Sequence, residues 1–96
     1  MSEKIQLLNP DPNKKGAVID KAKYETVKDV ILQVLNNKGT ITFKELLKEV
    51  VVSLQHSFEG SPSWYCTAVK LDLEARGLLE RIAKTSPQKI RLKSRG

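Results

Sequence analysis

Cysteine occurs once in the 96-residue chain, at Cys66, and histidine once, at His56. A single thiol excludes an internal disulfide framework and fits a reducing, cytoplasmic setting. No nucleophile–base pair and no Cys/His metal set stands at workable spacing, so neither an enzyme nor a metal or cofactor site is expected. His56 reads as a polar connector residue and Cys66 as a small core side chain. The glycines at 16, 39, 60, 77 and 96 are scattered and form no phosphate-cradling loop. No apolar run approaches the roughly 20 residues of a membrane span. The start, MSEKIQLLNP, has no long apolar stretch after its lysine, so no secretory leader is expected.

The last absence is of acid. The formal net charge is +6, yet residues 1–80 contain eleven basic and eleven acidic side chains and cancel. Residues 81–96 contain Arg81, Lys84, Lys89, Arg91, Lys93 and Arg95 and no carboxylate. The whole excess therefore lies in the final sixteen residues. A basic segment on a neutral body points to an anionic partner, most often nucleic acid. The other reading is a solvated, solubilising tail.

What is present is one domain's worth of chain, 40% apolar and 29% charged. Residues 1–19 form a mixed N-terminal segment: KIQLL can make a short strand, and NPDPNKKG is loop chemistry. Asp20 can cap a helix over about 20–36, whose stripe is Val27, Val30, Ile31, Val34 and Leu35. NNKG stops that helix, with Gly39 suited to a left-handed end. Thr42-Phe43-Lys44-Glu45 fits a capping box opening a second helix over about 42–55, with Ile41 and Leu46 placed as a hydrophobic staple. Ser61-Pro62 starts a third helix, serine as cap and proline in the first turn. Cys66, Val69 and Leu73 share one stripe of it. Trp64, Ala68, Leu71 and Ala75 share the next. Gly77 ends this helix, and LLERIA and KIRLK then alternate as two strands around the polar turn KTSPQ. The fold class is mainly α with a small β-hairpin, α+β, with residues 20–93 as core and 94–96 as a basic tail.

The order helix, short link, helix, connector, helix, hairpin resembles the winged-helix form of helix-turn-helix. The most specific stretch is VKLDLEARGLLERI, Val69 to Ile82, where a helix passes through a glycine into a charged strand. The same region, with Trp64-Tyr65 ahead of AVKLDLEARG, is similar to a family of small uncharacterised bacterial proteins, which implies no activity.

The winged-helix resemblance implies double-stranded DNA as partner and a role in transcription regulation. It places helix 3 in the major groove and the hairpin, as wing, on phosphates or in the minor groove. Residues of helix 3 able to reach bases are Ser61, Ser63, Thr67 and Lys70. Phosphate contacts fall to Arg81, Lys84, Lys89, Arg91, Lys93 and Arg95, helped by Lys14 and Lys15 if the N-terminal loop lies nearby. Against this, helix 3 is neutral and has no arginine, asparagine or glutamine in its first three turns, the types that make bidentate base contacts. Its HSFEG connector is longer than a standard turn of this motif.

The second functional reading is a protein-interaction module or homodimer. The Trp64–Leu71 stripe needs cover from the N-terminal KIQLL segment, a second subunit or a partner; Ile5, Leu7 and Leu8 are expected to pack on helix 3 or on a subunit neighbour, with Trp64 in the core.

Overall fold

A computed structural model describes residues 3–82 and 88–93. The elements run β1 (Lys4–Gln6), β2 (Val18–Asp20), α1 (Lys21–Lys38), β3 (Ile41–Thr42), α2 (Phe43–Leu54), α3 (Pro62–Ala75), β4 (Leu79–Ile82) and β5 (Lys89–Leu92). The described residues thus form an α+β domain of three helices and two small antiparallel sheets.

The local signals act as expected at α2 and α3. Thr42 Oγ1 accepts from the Glu45 amide, and the Glu45 carboxylate accepts from the Thr42 amide, which closes the capping box. Ser61 Oγ accepts from the Trp64 amide at 3.3 Å, with Pro62 in the first turn where its missing N–H leaves no gap. Beyond the C-terminal ends of α1 and α3, Gly39 and Gly77 take φ of 76° and 80°, where a side chain would be strained.

Asp20 departs from expectation. It precedes α1 but makes no side-chain cap. Its carboxylate instead pairs with Lys4, directly across the β1–β2 ladder. That ladder also corrects the reading of residues 1–19 as a strand and a loose segment. Val18–Asp20 pairs with Lys4–Gln6 to form a hairpin, and α1 follows it directly, running past its expected end to Lys38.

The three helices pack pairwise around Val27, Ile31 and Leu35 of α1, Leu46 and Val50 of α2, and Cys66, Val69 and Leu73 of α3, all buried. The second sheet has the order β3-β5-β4. Ile41 pairs with Ile90, and Leu79 with Leu92. Leu79 and Ile90 point into the core, and Leu78, Ile82 and Leu92 are half-buried. The two-residue link at Ile41 therefore belongs to the same sheet as the C-terminal hairpin. The turn expected at KTSPQ falls mostly outside the described residues.

The strands of the N-terminal hairpin lie against α1, and the segment that follows β1 meets α3, although unevenly. Leu7 is buried and Ile5 half-buried, but Leu8 remains 43% exposed and Trp64 48% exposed, so Trp64 is not a core residue. The hairpin itself is closed tightly at Gly16. A side chain there would run into the Leu7 carbonyl oxygen, which is backbone and cannot swing away. Gly16→Ala should therefore lower stability by about 1–3 kcal/mol, the usual range for overpacking. A urea titration checks it; an unchanged midpoint would mean that the loop is not held against Leu7.

Candidate nucleic-acid interface

The first half of α3 carries its only exposed positions: Ser63, Trp64 and Thr67. Past Thr67 every residue of the helix is buried or half-buried. Ser61 is used as the cap, and the Thr67 hydroxyl donates to the Ser63 carbonyl one turn back. Lys70 is the clearest correction. In place of reaching out to bases, its side chain is only 8% exposed. Its ammonium lies 2.9 Å from Glu74 Oε1 and 4.8 Å from the centre of the Phe43 ring.

Glu74 also receives the C-terminal hairpin. Arg81, on β4, donates from Nε to both carboxylate oxygens at 3.0 Å and from Nη2 to Oε2 at 2.9 Å. Burial pushes the Glu74 carboxyl up, but hydrogen bonds from Arg81 and Lys70 outweigh it and hold the carboxyl below its ordinary range. Arg91 pairs with Glu80 across the β4–β5 ladder at 2.6 Å. Among the described residues, Arg81 and Arg91 thus meet acids of the body, a link that residue counting could not show. Lys89, Arg91 and Lys93 lie exposed along β5 and just beyond it. Lys84 and Arg95 lie outside the described residues.

The loop between β1 and β2 flanks α3. Leu7, Leu8 and Gly16–Ala17 face Trp64, Thr67 and Leu71 across a cavity of about 210 Å³. Lys14 and Lys15 are exposed and, with Ala75 at the end of α3, border a neighbouring groove. The condition for their involvement, a loop close to helix 3, is met. At the start of α3, Tyr65 packs edge-on to Phe58 and to Trp64, with the Lys23 ammonium 5.5 Å from the Tyr65 ring centre.

What fixes the loop is a carboxylate that no sequence motif marks. Asp72 is fully buried on α3. It accepts from the Leu8 amide at 2.8 Å, from the Tyr24 hydroxyl at 2.7 Å and from Arg76 Nε at 2.8 and 3.0 Å. Burial, with the Asp72 carboxylate beside it, pushes the Tyr24 hydroxyl well above the usual tyrosine range. One buried carboxylate thereby ties the N-terminal hairpin, α1 and the end of α3 together. The only hint in sequence is the i, i+4 spacing of Asp72 and Arg76, and of Lys70 and Glu74 beside it.

Chemistry elsewhere is quiet. Burial pushes the Cys66 thiol up to about 12, so it stays protonated and poorly nucleophilic at neutral pH. Among the described residues no group of three or more His, Cys, Asp or Glu could hold a metal ion, and no helix is long and apolar enough to cross a membrane.

No curated protein and no solved structure matches the chain. A family model matches residues 4–90, which takes in the N-terminal hairpin together with the three helices and β4 and reaches into β5. The β1–β2 hairpin clamped by Asp72 is therefore part of the matched unit, and the chain belongs to that family, a family of unknown function (DUF6958).

Proposed function

We propose that this is a winged-helix domain that binds duplex nucleic acid through its backbone, without catalysis, α3 contributing little to base reading. The single observation that carries the reading is where the charge lies. All six net positive charges fall on residues 81–96, and the described part of that segment is the hairpin that packs against the helices. The strand order β3-β5-β4 and the element order support the winged-helix reading, since a wing is the hairpin that follows the third helix. Lys14 and Lys15 add cations beside α3.

The form of binding follows from the side chains. With Lys70 turned inward and Ser61 used as a cap, α3 offers duplex only Ser63, Trp64 and Thr67. None makes the bidentate contacts that distinguish base pairs. Binding should be dominated by phosphates, hence steeply salt-dependent and weakly sequence-selective. Regulation of transcription would then require recruitment or architecture rather than readout of a defined operator.

The test is a titration of random-sequence duplex at several salt concentrations. Replacing Lys89, Arg91 and Lys93 with alanine should reduce affinity and lower the steepness of log K against log salt by about 2–3, near 0.9 for each phosphate no longer neutralised. No duplex binding by the wild-type chain at low salt removes the nucleic-acid reading in favour of a protein-interaction role. An unchanged slope in the triple variant removes the wing as the phosphate-binding element.

A further inference from the structure

The sequence VVV at 50–52 sets up a second surface. Successive residues of a helix are turned by about 100°, so three consecutive valines cannot all face one core. Val50 is buried, Val51 is half-buried and Val52 is 55% exposed. Val51 and Val52, with Leu47 one turn before, line an open groove of about 600 Å³ on α2, and Ser63 closes its far side at the start of α3.

Lys44 and Lys48 run along the same face at i, i+4. The nearby acids, Glu45 at the groove's edge and Glu49 beside it, each have a partner on this chain. Glu45 completes the capping box with Thr42, and Glu49 pairs with Lys38 at 2.8 Å. Among the described residues neither Lys44 nor Lys48 has an ion-pair partner. Their methylene stems extend the apolar floor while their ammonium groups stand at its rim.

We propose that this face docks an amphipathic helix of a partner protein, one whose apolar stripe is bordered by carboxylates. Charge complementarity selects that occupant. A second copy packed face to face would bring four lysines together with only the two Glu45 carboxylates, each already held in its own capping box. A phosphate backbone would satisfy the two amines but leave the valines and Leu47 uncovered. An acidic amphipathic helix meets both demands, since Lys44 to Val52 spans about 12 Å, two turns of a facing helix. The inference does not rest on nucleic-acid binding.

The test is an amide NMR titration of the full chain, at near-physiological salt, with a synthetic helical peptide of about 16 residues. The peptide carries leucines at i, i+3, i+4 and i+7 flanked by glutamates. A counterpart replaces every glutamate with lysine. The acidic peptide should shift the amides of residues 44–52 and 63 saturably, and the basic one should not. Lys44→Glu combined with Lys48→Glu should weaken the acidic peptide at least about tenfold and bind the basic one instead. Val52→Ser, which leaves every charge in place, should weaken the acidic peptide on its own. Absence of saturable shifts, or equal response to both peptides, overturns the proposal. So does a short DNA duplex that moves these same amides more strongly than the acidic peptide.

Discussion

Asp72→Ala should destabilise the domain by roughly 3–5 kcal/mol, the range seen when one partner of a buried, hydrogen-bonded charge pair is removed. The substitution leaves three donors facing a void: the Leu8 amide, the Tyr24 hydroxyl and Arg76 Nε. Arg76 is about one-third exposed and can turn to water, whereas Tyr24 is buried and cannot. A buried donor left unpaired costs about 1–3 kcal/mol. For a chain of this size the expected fall in Tm is roughly 15–30 °C. Tyr24→Phe removes one donor together with its hydrogen bond and should cost about 0.5–2 kcal/mol. In the alanine variant the Leu8 amide should also exchange with solvent much faster than in the wild type, because the hairpin loses its tether to α3. A Tm within a few degrees of wild type would show that the hairpin is held by Leu7 packing alone.

That carboxylate marks the limit of what the sequence discloses. Capping and stop signals are local, and Thr42, Ser61, Pro62, Gly39 and Gly77 each act within a few residues of where they stand. They place α2 and α3 to within a residue or so, and α1 to within two. The alternation of LERI and KIRL suffices for the β4–β5 hairpin because its partners are close in sequence. The β1–β2 hairpin fails this condition. Its strands have three residues each and are separated by an eleven-residue loop, too short to show a period. Asp20 looks like a cap because it stands before a helix, but a lysine across a non-local ladder outcompetes the backbone amides for it.

The candidate site is less legible, for a related reason. A helical projection puts Lys70 and Asp72 about 160° apart, on opposite edges of the Cys66–Val69–Leu73 stripe, where nothing local marks either as buried. Their burial is produced by Phe43 of α2, Tyr24 of α1 and the N-terminal loop, none of them near in sequence. The total charge of the C-terminal segment can be counted. That Arg81 answers Glu74 and Arg91 answers Glu80 cannot, because both pairings depend on how the hairpin lies on the helices and on its register.

Glu74→Gln should separate stability from nucleic-acid binding, moving them in opposite directions. The Glu74 side chain is 6% exposed and is shared as counter-ion between Lys70 and Arg81. Glutamine retains one acceptor oxygen but no charge, so the Lys70 ammonium is left nearly enclosed without its counter-ion. The expected loss at neutral pH is roughly 2–4 kcal/mol, below that of a full truncation. The pH dependence has a definite sign. In the folded chain the carboxyl is held below its ordinary range, so its stabilising contribution is complete above the unfolded carboxylate pKa, about 4.3. It is lost as pH falls through the folded value. The glutamine variant should therefore differ most from wild type above about pH 5, and the two should converge on acidification. Arg81, 43% exposed and released from its three bonds to Glu74, becomes available to a phosphate. If β4 lies on duplex, the log K against log salt slope should steepen by about one, even though the protein is less stable. Denaturant titrations at two pH values and duplex titrations at several salt concentrations read the two effects separately. A variant that loses stability with no change in slope would place Arg81 off the nucleic acid and leave the phosphate contacts to the other cations.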